Sequence, residues 1–273
     1  MSVAFVSEPK LLLTPGEPQT FPIRFPETDY GHDQHEEWCE AYIHGQWHRF
    51  RLHDYDAIYS VPGLYEHLFY TILQCSSPQQ VVNLLTEVVR EDNESPTQLR
   101  ILDLGAGNGM VGEELRKHGV NYLAGVDIIL EAKRATERDR PGMYDDYHIA
   151  DMTLNDTRAL QSLREANLNT LVTVAALGFG DIPPQAFANT FNAVADNGWL
   201  AFNIKETFFS GSDDSGFFRL IRSLWDKEII QMRSYRRYVH RLSISGKPLH
   251  YVALAARKLS DVPQELVERA IAG

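Results

Sequence analysis

The chain has 273 residues, 44% of them hydrophobic, which suits one α/β domain of ordinary size plus an extension. Its formal net charge of -11 disfavours DNA or bulk RNA as a partner, because an acidic surface repels polyanions. The two cysteines give no disulfide framework, and the apolar run at residues 11–13 is too short for a signal peptide or a membrane span. We therefore expect a cytoplasmic protein without membrane attachment.

Residues 1–97 are predicted to form an N-terminal extension to a main domain over residues 98–273. An arm rich in Pro, Thr and Glu comes first, and residues 40–52 alternate around a central glycine, which predicts a β-hairpin. Two helices follow, at residues 64–73 and 78–90, and we expect them to act as caps over the main domain.

Six potential zinc ligands lie in this extension: His32, His35, Cys39, His44, His48 and His53. Structural zinc sites use closely paired ligands such as C-x2-C, and only the first two histidines approach that spacing. The histidines near the tip of the predicted hairpin have no reason to converge with the others. We therefore expect no metal site.

The most informative stretch begins at residue 101. An apolar strand that contains Asp103 is followed by three alternating glycines and then by a predicted helix over residues 110–118: Gly105, Gly107 and Gly109. Glycines remove Cβ atoms where the backbone turns tightly and a ligand approaches. The following helix directs its N-terminal amides and its dipole at that ligand. The pattern predicts a nucleotide-type pocket at the carboxyl end of a strand.

Dinucleotide-binding proteins prefer a different loop, G-x-G-x-x-G, whose amides reach a pyrophosphate. Here the third glycine comes one residue early, and Met110 stands where that pattern has glycine. The carboxylate of Asp103 would repel a pyrophosphate but suits a cationic ligand. A nicotinamide-dependent oxidoreductase is therefore an alternative interpretation and not the preferred one.

Two further predicted strands also end in carboxylates. The strand over residues 122–126 leads to Asp127, about twenty residues after the glycines, where a carboxylate can accept both ribose hydroxyls of an adenosine. A helix over residues 130–138 and a third strand follow, and that strand ends at Asp151 and Met152.

The D-x-G-x-G-x-G loop and the two later acidic strand ends resemble the class I S-adenosylmethionine (SAM) methyltransferases, over about residues 98–258. The similarity is greatest to poorly characterised bacterial members and extends distantly to the methyltransferase-like proteins of the Williams-Beuren syndrome region. It implies that the loop holds the amino-acid end of SAM, that the second acid holds the ribose, and that the third meets the adenine. The cofactor-binding residues implied are Tyr59, Asp103, Gly105, Ala106, Gly107, Gly109, Asp127, Ile128, Asp151, Met152 and Ala176.

The rest of the chain continues the alternation of strands and helices. Strands are expected at residues 170–177 and 198–204, and helices at residues 185–195 and 215–226. Two last strands, over residues 229–243 and 249–257, are joined by a turn too short for a parallel crossover. The pattern predicts an α/β fold with a Rossmann-like, seven-stranded, mostly parallel sheet, helices on both faces and a C-terminal antiparallel hairpin. The resemblance implies the same sheet.

Two motifs that invite functional interpretations are better explained as elements of secondary structure. The sequence from Asp181 to Pro184 lacks the aromatic residue that base or glutamine methyltransferases carry after their two prolines, so we predict a helix start there. The run of arginines and aromatics over residues 233–241 is predicted to be a strand with solvated arginines on both faces. A carboxylate or phosphate on a small molecule is the alternative ligand for that run.

The sequence thus predicts a SAM-dependent methyltransferase that acts on a small molecule by in-line displacement. A nucleophile that must lose a proton requires a base, and the candidates near the predicted pocket loops are His53, Tyr59, Glu206 and His240. Choosing among them requires the structure, and the acceptor and oligomeric state stay open. A non-catalytic SAM-binding interaction protein is a second alternative.

Overall fold

The structure is a computed structural model, and it describes residues 20–26, 34–155, 157–178, 180–207 and 216–272. A small antiparallel sheet comes first, formed by β1 (Ile23–Arg24), β2 (Trp38–Ile43) and β3 (Gln46–Arg51). Its hairpin turns at His44 and Gly45, which have φ angles of 50° and 85°. Positive φ at both central residues is the geometry of a two-residue hairpin turn.

Three helical segments follow: α1 (Tyr55–Ser60), a π-helical segment (Glu66–Ile72) and α2 (Ser77–Glu91). The first packs with the π-helical segment and the small sheet in a core of their own. Helix α2, which we expected to act as a cap, instead buries Val81, Leu85 and Val89 in a core shared with strands of the main sheet. The predicted domain boundary after residue 97 stays a prediction. Helix α2 precedes that boundary but packs in the same core as the main sheet.

The main sheet is built from elements that alternate along the chain. In order these are β4 (Arg100–Leu104), α3 (Met110–Lys117), β5 (Tyr122–Asp127), α4 (Leu130–Asp139), β6 (Asp146–Ile149), α5 (Arg158–Glu165), β7 (Thr170–Thr173), α6 (Pro184–Phe191), β8 (Trp199–Lys205), α7 (Phe217–Asp226), β9 (Ile230–Leu242), β10 (Pro248–Lys258) and α8 (Gln264–Ala272). Short 3-10 turns lie at Gln34–Glu36 and Pro96–Gln98. Helices α5 and α8 are additions to the elements predicted from the sequence.

The seven strands lie in the order β6-β5-β4-β7-β8-β10-β9, and β10 runs antiparallel to both of its neighbours. The seven-stranded, mostly parallel sheet and the antiparallel hairpin are those that the resemblance to class I methyltransferases implied. The predicted Rossmann-like fold class is therefore confirmed. Because β4 lies near the middle of the sheet, its last four residues are all buried, as both faces of a parallel sheet carry helices.

Helices cover the two faces of this sheet in two separate cores. On β4, Ile101 faces the core with α2 and α3, while Leu102 faces the core with α5 to α8. Within the described part of the chain, no helix is long and apolar enough to cross a membrane.

Strand β7 ends four residues before the predicted strand did. Ala175 takes a φ of 56°, a left-handed conformation that no regular strand accommodates. Its N–H donates to the Asn203 side chain on β8, 2.6 Å away, instead of joining a strand ladder. The chain therefore bends away from the sheet here, and the segment after β7 becomes a wall of a cleft.

Candidate functional site

A cleft of about 400 Å³ opens at the carboxyl ends of β4 to β7, where open α/β sheets bind their ligands. Most of the residues that we predicted to bind a cofactor line it: Tyr59, Gly105, Asp127, Ile128, Asp151, Met152 and Ala176. Sequence positions spread over more than a hundred residues are thus brought to one place by the fold.

The glycine loop closes one side of this cleft. Gly105 and Gly107 have φ angles of 74° and 53°, so side chains there would be strained. A Cβ on Gly105 would lie 3.0 Å from the Ala176 Cβ, and one on Gly107 would lie 2.6 Å from the Tyr59 hydroxyl. The tyrosine therefore packs directly over the loop.

Asp127 holds this loop to the start of α4. Its carboxylate accepts the Gly107 N–H through Oδ2 and the Ile129 N–H through Oδ1, both at 2.9 Å. Burial raises the pKa of this carboxyl, and the backbone donors oppose that rise by favouring the charged form. Each oxygen keeps further acceptor capacity toward the cleft, which suits a pair of neighbouring hydroxyls.

Asp151 lies just beyond the end of β6, on the same edge of the sheet. Its Oδ1 accepts from the Thr153 hydroxyl at 2.7 Å and from the Thr153 N–H at 2.9 Å, and these bonds lower the pKa of the carboxyl. Met152 beside it is buried, while the Ile128 side chain is 64% exposed at the cleft. The cleft wall thus carries a charged acceptor together with the apolar side chains of Met152 and Ile128.

Four of the predicted residues do not line this cleft: Asp103, Ala106, Gly107 and Gly109. Asp103 is fully buried beneath the loop, where its Oδ2 accepts from the Tyr144 hydroxyl at 2.7 Å. Its Oδ1 has no hydrogen-bond donor among the described residues, and burial raises the pKa of the carboxyl to about 7. Gly109 faces the Arg140 side chain instead of the cleft, and Ala106 and Gly107 line a second cavity. Their predicted contacts with a cofactor stay predictions.

The second cavity, of about 70 Å³, adjoins the cleft, and sequence reasoning missed it. Both spaces are lined by His53, Tyr55, Tyr59, Tyr65, Gly105, Val174, Ala175 and Asp181, so these residues mark the junction. Beyond the junction the cavity wall includes Phe69, Tyr70, Cys75, His240, Arg241 and Tyr251. Of these six residues, the sequence analysis singled out only His240, as a candidate base, and Arg241, as part of the run over residues 233–241.

The four candidate bases separate clearly. Glu206 forms an ion pair with Arg237, with the shortest contact at 2.6 Å, and borders neither space. His240 borders the second cavity alone, and burial lowers its pKa well below the usual value. Tyr59 lies at the junction, but burial raises its pKa well above 10, so it retains its proton. His53 also lies at the junction.

His53 has a carboxylate partner from a distant part of the chain. Its Nδ1 lies 3.4 Å from Oδ2 of Asp181, in the loop between β7 and α6. The prolines after Asp181 begin α6, which starts at Pro184, so the predicted helix start is confirmed. The aspartate of that motif therefore faces a histidine at the junction.

The arginines of the 233–241 run are paired with carboxylates. Arg233 pairs with Asp92, Arg236 with Glu87, Arg237 with Glu206 and Arg241 with Glu37. Neighbouring Arg236 and Arg237 reach α2 and the end of β8 respectively, as alternation along a strand predicts. The run is a strand with neutralised arginines, which leaves the alternative of a bound anion without support.

Within the described residues, no three His, Cys, Asp or Glu side chains come together as a metal-binding group. Burial raises the pKa of the Cys39 thiol to about 12, so this cysteine keeps its proton and is a poor metal ligand. His32 and the side chain of His35 lie outside the described residues.

No protein-family model matches the chain, and no curated protein matches its sequence. Solved structures with a similar fold include a magnesium protoporphyrin IX methyltransferase from Synechocystis with bound SAM, at 13% identity and a TM-score of 0.44, over 66% of this chain and 79% of that one. A TehB-like SAM-dependent methyltransferase from Corynebacterium glutamicum shares 16% identity and a TM-score of 0.42, over 63% and 86%. A SAM-dependent methyltransferase from Mesorhizobium loti shares 13% identity and a TM-score of 0.43, over 63% and 96%. Identities and TM-scores this low show a similar fold and do not transfer a function. The function of this chain is therefore argued from its own residues.

Proposed function

We propose that the chain binds SAM in the cleft and transfers its methyl group to a small molecule. The observation that carries this proposal is the placement of three carboxylates around one glycine loop. Asp127 and Asp151 line the cleft at the ends of neighbouring parallel strands, and Asp103 lies behind the loop with an unused acceptor oxygen. A ligand that carries a diol, an amino-substituted ring and an ammonium group matches these acceptors.

The residues present fit SAM from end to end. Asp127 would accept the ribose hydroxyls, and Asp151 would accept the adenine amino group with Met152 against the ring. The loop and Tyr59 would enclose the amino-acid end. When bound, SAM supplies a methyl group on a sulfonium, which is an excellent leaving group. Positioning a nucleophile against that methyl group supplies about 7 kcal/mol or more of rate enhancement by effective-molarity arguments.

A nicotinamide dinucleotide fits this loop less well. A pyrophosphate binds to loop amides, and here the Gly107 N–H already donates to the Asp127 carboxylate. The same carboxylate would face the phosphate charge at close range. The oxidoreductase alternative is therefore disfavoured by charge as well as by the glycine spacing.

Isothermal titration with S-adenosylhomocysteine (SAH), with NADH run in parallel, tests the proposal. Binding of SAH at micromolar concentration or tighter, without NADH binding, would support it. Binding of NADH alone would favour the oxidoreductase. Tight SAH binding with no methyl transfer to a broad panel of acceptors would favour a SAM-binding interaction protein.

Replacing Asp127 by alanine should weaken SAH binding by on the order of 1–3 kcal/mol, because the ribose loses charge-assisted hydrogen bonds. The loop amide of Gly107 loses its acceptor in the same variant. Titration of SAH into Asp127→Ala measures the loss. Asp146→Ala, an exposed aspartate at the start of β6, is the matched control and should bind as the wild type does. An unchanged dissociation constant in Asp127→Ala would refute the ribose assignment.

Replacing Gly107 by valine should abolish SAH binding. The new Cβ would lie 2.6 Å from the Tyr59 hydroxyl, and the φ of 53° is unfavourable for a β-branched residue. Circular dichroism should show that the variant still folds, since the new side chain enters the cavity that Gly107 and Tyr59 both line. Gly142→Val is a suitable control for the strain of a positive φ, because nothing lies within 4 Å of its Cβ position. Retained binding by Gly107→Val would mean that the ligand does not approach this loop.

A further inference from the structure

The junction between the cleft and the second cavity is the place where the methyl group and an acceptor would meet. Tyr59 and Gly105 border both spaces there, with the glycine loop on the cleft side. The second cavity has room for only a few water molecules. It therefore suits the reacting end of a small molecule.

Aromatic rings form much of the wall of the second cavity. The Tyr65 ring lies at the centre of this group, with centroid distances of 4.8 Å to Tyr59, 4.7 Å to Phe69 and 6.1 Å to Tyr70. The faces of such rings carry negative partial charge and attract cations. A desolvated cation gains most from this attraction, and these side chains are at least half-buried.

The ionisable groups around the cavity favour the same sign of ligand charge. Arg241 is neutralised by Glu37, whose Oε2 lies 2.5 Å away, and both side chains are less than 5% exposed. Burial lowers the pKa of His240 and raises that of Cys75, so both are uncharged at neutral pH. Asp181 adds a carboxylate to this wall, 3.4 Å from His53. An anionic acceptor finds no available cation among the described residues of this wall.

We propose that the second cavity is the acceptor chamber, that its acceptor is a small amine carried as an ammonium ion, and that His53 is the base that takes its proton. The inference rests on the proposed function and names its substrate class. Asp181 is a positioning residue, because its Oδ2 lies 3.4 Å from Nδ1 of His53 and would orient that ring at the junction.

The reaction balances with these groups alone. His53 takes one proton from the ammonium group, which frees the nitrogen lone pair. That pair forms the new bond to the methyl carbon while the carbon–sulfur bond breaks, and the sulfur keeps the bonding electrons. The products are a methylated ammonium ion, SAH and a proton on His53, which then passes to water in the cleft.

Three probes that share one ring test the charge preference: benzylamine, benzyl alcohol and benzoate. Each is titrated calorimetrically into the wild-type chain saturated with SAH. Benzylamine should bind at least about tenfold more tightly than the alcohol, and benzoate should bind most weakly. Benzoate binding as tightly as benzylamine would overturn the proposal, and so would no binding by any probe at millimolar concentration. In Asp181→Asn the preference for the amine should fall toward that for the alcohol.

Turnover with benzylamine tests the base. His53→Gln should lower kcat about 100-fold or more while KM and SAH affinity stay within about twofold of the wild type. His118→Gln is the matched control, because this histidine bonds to Asn83 on α2 and borders neither space. An unchanged kcat in His53→Gln would overturn the assignment, as would wild-type binding of benzylamine without methylation.

The two proposals can fail separately. If SAH does not bind, the proposed function is wrong and the chamber has no methyl donor beside it. If SAH binds but the amine shows no preference, the methyltransferase proposal survives and only the acceptor class is wrong.

Discussion

Replacing Asp103 by asparagine should stabilise the ligand-free protein and at the same time weaken its binding of SAH. The carboxyl is fully buried, and its pKa rises from 3.8 to about 7 because burial penalises the charged form. A rise of this size corresponds to about 4 kcal/mol of lost stability once the group is ionised. Asparagine avoids that charge but buries an amide N–H without a partner, so the expected net gain at about pH 8 is about 1–3 kcal/mol.

The sign follows from proton linkage. Between the unfolded pKa and the folded one, the native state of the wild type binds more protons than the unfolded state. The stability contributed by this group is therefore present at low pH and is lost as pH rises from about 4 to about 7. The asparagine that replaces Asp103 cannot titrate, so the advantage of the variant over the wild type should shrink as pH falls below about 7.

SAH binding should change in the opposite direction. A cationic amino group near the loop gains from a buried carboxylate whose charge no cation of the described chain neutralises. Wild-type affinity should therefore fall as pH drops below about 7, while Asp103→Asn binds about ten- to a hundredfold more weakly and without this pH dependence. Titration calorimetry and urea unfolding at several pH values measure both effects.

Two further variants make this prediction specific. Tyr144→Phe removes the hydroxyl that donates to Asp103, which should raise the pKa of the carboxyl further and lower the stability at about pH 8. Asp146→Asn, an exposed aspartate, should change neither stability nor binding. If Asp103→Asn kept full SAH affinity, the carboxylate would serve only to shape the loop.

The glycine loop could be predicted from sequence because neighbouring residues meet all of its requirements. Strand β4 ends at Leu104, positive φ angles follow at the glycines, and α3 begins at Met110. Strand, turn and helix therefore lie within a residue of the prediction. The succession of strands and helices and the C-terminal antiparallel hairpin could also be predicted, since a short turn between two strands excludes a parallel crossover.

What the sequence could not show are pairings between distant residues. His53 and Asp181 meet only because the small sheet and the β7–α6 loop close over the same edge. Strand β7 ends early because the Asn203 side chain, on the next strand, takes the Ala175 N–H. In a π-helix an N–H donates to the carbonyl five residues earlier, as the Leu73 N–H at the end of this segment does to the Leu68 carbonyl. The pattern of apolar side chains in the sequence hardly distinguishes this from an α-helix.

These distant pairs also decide the chemistry. The glycine loop and the acidic strand ends predict a cofactor, because cofactor binding commonly uses motifs formed by residues close together in the sequence. The cavity proposed as the acceptor chamber is lined by residues of α1, the π-helical segment, β9 and β10 as well as the glycine loop, and no single segment carries its signature. On the acceptor proposal, substrate choice would depend on how the N-terminal extension is attached to the sheet.

That attachment leads to the second large effect, which concerns the buried ion pair between Glu37 and Arg241. Glu37 precedes the hairpin strand β2, Arg241 lies on β9, and both are almost fully buried. The glutamate also accepts the Ile244 N–H at 2.8 Å, and the arginine donates to the Leu242 carbonyl at 2.8 Å. Glu37→Leu leaves a buried guanidinium without its counter-ion and should lower the free energy of unfolding by about 3–5 kcal/mol.

Arg241→Met should lower the free energy of unfolding by a similar amount, because it leaves the buried Glu37 carboxylate without its counter-ion. The double variant, Glu37→Leu with Arg241→Met, should be more stable than either single variant, because apolar side chains of similar volume need no counter-ion. Urea unfolding of all four proteins gives the coupling energy. Glu206→Gln, which breaks the exposed pair with Arg237 on the same strand, is the control and should leave the unfolding curve in place. Additive losses in the double variant would show that the two residues act independently, and the extension would then be held to β9 by its apolar contacts and not by this pair.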